Sequence, residues 1–209
     1  MAEKKKANKR QSRIPSFLNK DKYIHSILFF LERINNKYLG KTKLMKLLYF
    51  LDFGFYENNE VSITNDKYVW YPHGPYPSRA DIILKYMENR ELIERSMVRF
   101  GNKKQERYLP VEKFSASFFS AEELKSLERI AAYYEDYSTQ EIEDEAHRDI
   151  PWLLSKPEEG KKTGGYIDYK LALYRHNVLP SDEDEKETEI LSKSRKFREL
   201  VDRTLKDLI

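Results

Sequence analysis

Four histidines (His25, His73, His147, His176) and many carboxylates are the side chains through which this chain could do acid–base or metal chemistry. Their spacing argues against both. No two histidines stand four residues apart with a glutamate between them, as a helical zinc protease site requires. The acid groups Glu122–Glu123, Glu141–Glu143–Asp144–Glu145 and Asp182–Glu185 fall on charged helix faces or in a charged run, where carboxylates are solvated. A general acid needs a cleft that shifts its pKa. The chain has no cysteine, which excludes a disulfide framework, a thiolate zinc site and a cysteine nucleophile. The string GKT at 40–42 resembles the end of a phosphate-binding loop, but Asn35 stands where that loop needs glycine, and 22–38 reads as helix rather than strand. No catalytic set, metal site or cofactor is expected, and the chain reads as a binding protein rather than an enzyme. His147, two residues before Asp149 and five before Trp152, reads as a local lock for its loop.

The chemistry that remains is recognition. Residues 71–78 spell YPHGPYPS. Pro72, Pro75 and Pro77 fix φ and remove donors, and Gly74 can take a positive φ. The rigid turn that follows lowers the ordering cost of binding. Trp70, Tyr71, His73, Tyr76 and Arg79 cluster around it, and Tyr, Trp and Arg are the residues that anchor protein interfaces. These five are the candidate partner-binding residues, expected to form an exposed aromatic surface. A second candidate is nucleic-acid contact through Arg95, Arg99, Lys103, Lys104 and Arg107, which flank GNKK in a predicted hairpin. The preceding helix is nearly balanced in charge, with Arg79, Lys85 and Arg90 against Asp81 and Glu88, which weakens a groove-reading role.

The elements that must position these residues are mostly helical. Ile24, Ile27, Leu28, Leu31 and Ile34 recur at helical spacing, and Gly40 is expected to end that unit. Thr42 is the expected cap of the next helix, which runs through Leu44, Leu47, Leu48, Leu51 and Phe55. Its added Met45, Tyr49 and Phe50 predict burial nearly all round. Residues 57–71 hold turn signals around short β runs. Ser78 and Asp81 form a near capping box for a third helix, and Ser120–Glu123 and Ser138–Glu141 are full boxes for two more. A further helix is expected near Asp168–His176. The predicted class is mainly α with a small β element, a helical core plus a winged-helix-like hairpin.

Aromatic residues are plentiful, with 15 Tyr, 11 Phe and 2 Trp, although charged residues make up 35%. Residues 1–13 carry a net +5 and the rest of the chain −2, so the basicity sits in an arm. The expected organisation is a disordered arm (1–16), a globular domain (22–176), an acidic linker (177–189) and a C-terminal amphipathic helix (190–209). The linker holds six acids and one lysine in residues 182–189. The helix stripe of Ile190, Phe197, Leu200, Val201, Leu205 and Leu208 suits a partner or a second copy of the chain. No apolar run reaches the ~18 residues of a membrane helix, and no apolar signal region follows the basic start, so a soluble cytoplasmic protein is expected.

Three motifs in order, KLMKLLYFLDF at 43–53, HGPYPS at 73–78 and HRDIPW at 147–152, give the chain a resemblance. It resembles the Panacea domain, the SocA-like antitoxin domain, over roughly 22–176. The matching positions are Lys43, Leu44, Lys46, Leu47, Leu48, Tyr49 and Phe50, then Gly74, Pro75 and Pro77, then His147, Pro151 and Trp152. His73 and the extra Pro72 depart from the family pattern just before Gly-Pro. The resemblance implies a mainly helical domain that neutralises a cognate toxin by direct protein contact, without catalysis. Some members resemble adaptors that deliver the toxin to a protease. A winged-helix-type DNA-binding regulator is the alternative reading.

Overall fold

The helix expected to be buried nearly all round is the centre of the molecule. In the computed structural model, residues 15–34, 39–100, 103–158 and 164–175 are described. The chain divides into two units, Met1–Tyr174 and Arg175–Ile209. The first contains every helix and strand among the described residues. Most of the basic arm, the acidic linker and the 190–209 stripe lie outside the described residues.

Helix α1 is Lys20–Arg33 and α2 is Lys41–Asn59. Every residue of α2 from Lys43 to Phe53 is buried. Helix α2 packs against α1, α4 (Ala121–Tyr134), α5 (Thr139–Arg148) and a 3-10 helix, Tyr169–Tyr174. Burial of that many Leu and Phe side chains, each worth roughly 1.5–3 kcal/mol, makes α2 the main source of hydrophobic stabilisation. Phe50 stacks on Tyr134 of α4 at 4.8 Å, and Phe53 stacks on Tyr169 at 4.5 Å. The buried Lys43 ammonium donates to the Glu135 carbonyl (3.0 Å) and the Tyr137 carbonyl (2.5 Å) just past α4. It thereby satisfies backbone acceptors at a helix C-terminus, which favours a cation there.

The expected boundaries differ at three places. Helix α1 ends at Arg33, and Gly40 is the N-cap of α2, with Thr42 inside the helix. Gly40 is extended, with φ −96 and ψ 171, and the Gln105 side chain occupies the space where a Cβ would lie. Helix α3, Ala80–Asn89, starts after Arg79, and Ser78 does not cap it. The Ser78 hydroxyl instead donates to Asp66 at 2.9 Å, and Asp66 Oδ2 accepts from the Arg79 amide at 3.0 Å. The segment after 168 is 3-10 rather than α. Both full capping boxes, Ser120–Glu123 and Ser138–Glu141, form as their sequences predict.

The β structure is small. Strands β1 (Tyr68–Val69), β2 (Tyr76–Pro77) and β5 (Tyr166–Ile167) form one antiparallel sheet in the order β2-β1-β5. Strands β3 (Ile93–Phe100) and β4 (Lys103–Pro110) form the predicted hairpin directly after α3, in the register Arg95↔Tyr108 and Arg99↔Lys104. The fold is thus mainly α with a small β element. Helix α6, Ile150–Leu154, closes the chain back onto the first sheet through Trp152.

Candidate functional site

The proline turn is held from below by the first motif and from the side by the third. Gly74 sits at φ 89, and its amide donates to the Tyr71 carbonyl at 2.9 Å. A Cβ there would lie 2.8 Å from the Lys46 amine and 3.0 Å from its Cε. Glycine is therefore required twice, by the backbone and by the close approach. The buried Lys46 amine donates to the Pro75 carbonyl at 2.9 Å. Burial lowers the Lys46 pKa to about 8, opposed by the Glu143 carboxylate. One turn further along α2, the Tyr49 hydroxyl donates to Asp149 Oδ2 at 2.6 Å, within the third motif.

The third motif closes the other side. Trp152 Nε1 donates to the Tyr71 carbonyl at 3.1 Å. The Trp152 ring stacks on Trp70 with centroids 5.1 Å apart and planes 15° apart, and His147 lies 4.6 Å from it. Gly164 backs the pair, since a Cβ there would lie 2.6 Å from Trp70 Cβ. The Gly164 amide donates to the Trp70 carbonyl, and the Trp70 amide to the Gly165 carbonyl. The far end of the turn is tied by Asp66 through Ser78 and the Arg79 amide, as described above. Residues some 30 and 100 positions apart in the chain thus fix one eight-residue surface.

The five predicted partner-binding residues separate into two layers. Trp70 is 6% exposed, so it supports the surface from beneath and does not belong to an exposed aromatic face. Tyr71 is 39% exposed, and the His73 side chain is 88% exposed, with Nδ1 3.1 Å from Glu143. Tyr76 and Arg79 are half-buried. The Tyr76 hydroxyl donates to Asp81 Oδ1 at 3.1 Å, and burial followed by the Asp81 charge raises its pKa. Three polar atoms of this region are buried without a hydrogen-bond partner: Trp70 Nε1, Arg79 Nε and His147 Nε2. His147 nevertheless ties the third motif to the turn, since its ring hydrogen-bonds the Pro72 backbone beside the Trp152 bond to Tyr71. Burial lowers the His147 pKa against the pull of Glu143.

The basic hairpin is less of a unit than its sequence suggests. The register puts Arg95, Arg99 and Lys104 on one face, with Arg107 and Lys103 on the other. Arg95 is 3.6 Å from Glu88 and 3.9 Å from Glu106. Arg107 donates to Gln105 at 2.9 and 3.1 Å. Arg99 and Lys104 are exposed and opposite one another, and the Lys103 side chain lies outside the described residues.

Two carboxylates escaped the sequence reading, Asp52 and Asp66, both buried. Two others read as solvated are buried as well. Glu123 is paired with Lys22 at 2.5 Å, and Glu145 accepts from Tyr134 at 3.3 Å. The signal for Asp52 was there: an acid within an otherwise apolar helical run has to be buried. Among the described residues no group of acids and histidines could hold a metal ion, and no helix is long and apolar enough to cross a membrane.

The family profile described as antitoxin SocA-like, Panacea domain, matches residues 44–153. The chain belongs to this family. No curated protein and no solved structure matches it. The matched span takes in nearly all of α2, the proline turn, the hairpin and α4 to α6, so the three motifs that meet at the turn all lie within the Panacea domain. Lys46, Tyr49, Asp149 and Trp152 of this domain touch the turn or its supports, although none of them is among the candidate contact residues read from sequence.

Proposed function

We propose that this Panacea domain is an antitoxin that neutralises a cognate toxin protein in the cytoplasm by direct contact through the turn 71–79. The observation that carries the proposal is the convergence of two distant motifs on the proline turn, whose Tyr71, Pro72 and His73 are exposed. Lys46, Trp152 and Asp66 all hold its backbone, and Gly164 backs Trp70 beneath it. Rigid presentation of Tyr71 and His73 reduces the ordering cost of association. The exposed Tyr71 is of a residue type enriched at protein interfaces. No step of catalysis is invoked, because binding alone can cover a toxin's site.

The nucleic-acid reading has less support. Of the hairpin cations, Arg95 and Arg107 are engaged within the fold, which leaves Arg99 and Lys104 as the described exposed pair. Two phosphate contacts give a weak, salt-sensitive attachment.

The test is co-expression of the full chain with the product of the adjacent gene. The double variant Tyr71→Ala/His73→Ala leaves the backbone acceptor of Trp152 in place and so keeps the fold. We expect it to lose toxin binding by tenfold or more, or ~1.4 kcal/mol and upward, if these are anchors. Undiminished binding and rescue by a folded double variant would move the interface off the turn.

A further inference from the structure

Asp52 lies fully inside the domain, on α2, and among the described residues it makes no ion pair. Its Oδ1 accepts from the Thr64 amide at 2.8 Å. Its Oδ2 meets the Thr64 hydroxyl, the Tyr68 hydroxyl at 2.8 Å and the Tyr169 hydroxyl at 3.5 Å. Each of these tyrosines has a second acceptor. Tyr68 is also 2.8 Å from the Leu48 carbonyl, and Tyr169 is 2.7 Å from the Asp66 carbonyl. A phenol carries one proton, so it cannot donate to both acceptors at once.

We infer that Asp52 is a proton-operated switch whose two states exchange the hydrogen bonds of Tyr68 and Tyr169. In the ionised state Tyr68 donates to Asp52, and Tyr169 can turn toward the same carboxylate. Uptake of one proton from solvent on Oδ2 takes Asp52 from charge −1 to neutral. The new O–H donates to the Tyr68 oxygen, Tyr68 turns its proton to the Leu48 carbonyl, and Tyr169 gives its own to the Asp66 carbonyl. Every donor and acceptor is satisfied in the neutral state, as buried polar groups require.

The switch reaches the recognition turn through Asp66. The Asp66 carboxylate accepts from Tyr23 of α1 (3.0 Å), from the Lys67 amide, from Ser78 and from the Arg79 amide. Moving the Tyr169 bond on or off the Asp66 carbonyl therefore alters the residue that ties down one end of the turn. The titratable groups facing Asp52 are Tyr23 from α1, Asp66 from the loop, Tyr68 from β1 and Tyr169 from the 3-10 helix. All three phenols are raised by burial and stay protonated. Burial also raises Asp52 to about 6, against the donors from Thr64 and Tyr68 that favour the ion, and it raises Asp66. Between ~4, the unfolded value, and about 6 the fold holds more protons than the unfolded chain. The stabilisation from this group is complete below ~4 and is lost as pH rises through about 6.

The experiment needs no partner. The carboxyl carbon of Asp52 is followed by NMR in the full chain from pH 5 to 8, together with the amides of residues 64–79. We expect Asp52 to titrate in this range and the 64–79 amides to follow the same midpoint. In Asp52→Asn, whose amide donates to Tyr68 as the neutral acid does, that shared transition disappears. Tyr68→Phe removes a donor to the ion and moves the Asp52 midpoint upward. An Asp52 carboxyl that stays ionised throughout overturns the inference, and so do amides that still titrate in Asp52→Asn. If Asp52→Asn does not fold, the titration of the wild-type carboxyl decides alone.

Discussion

At the scale of single residues, Gly74 is the position with the fewest alternatives. Its φ of 89 suits glycine, and the space a Cβ would take is filled by the Lys46 amine. Gly74→Ala is expected to destabilise the domain by ~1–3 kcal/mol. The larger consequence is a displaced Lys46, which then loses the Pro75 carbonyl. Chemical denaturation of the variant measures the first effect. An unchanged midpoint would mean that the turn relaxes freely and is not held as described. The sequence alone showed that Gly74 could adopt such a φ. It could not show that Lys46, 28 positions earlier, fills the space beside it, because nothing local links the two residues.

At the scale of elements, α2 organises everything else. Leu48 is fully buried in its middle, so Leu48→Ala should cost ~2–5 kcal/mol, read as a lower thermal midpoint. A shift within error would make α2 peripheral and contradict its burial on every side. This helix was legible because an apolar pattern with no polar face can only be buried. The hairpin and both capping boxes were legible for similarly local reasons, turn residues and S-x-x-E spacing. The start of α3 was not legible because the Ser78 hydroxyl is taken by Asp66, twelve residues earlier, and the helix starts without a side-chain cap. Trp70 was read as surface for the same reason: its burial depends on Trp152, more than eighty residues later. Each error traces to a long-range contact that overrides a sound local preference.

At the scale of the whole molecule, charge is unevenly placed. Removing residues 1–13 takes the net charge from +3 to −2. Any affinity for nucleic acid should fall with that deletion and lose most of its salt dependence, since each neutralised phosphate contributes to the slope. Binding of a labelled duplex against salt measures this. Tight, sequence-dependent binding that survives the deletion would favour a regulator over an antitoxin. The chain also has two tryptophans, and both are in the stacked pair beneath the turn. Their separation of 5.1 Å is short enough for the two indoles to share an excited state. Ultraviolet emission and circular dichroism from indole therefore originate in the pair that supports the proline turn. The protein carries an optical reporter beneath its proline turn, readable without any label.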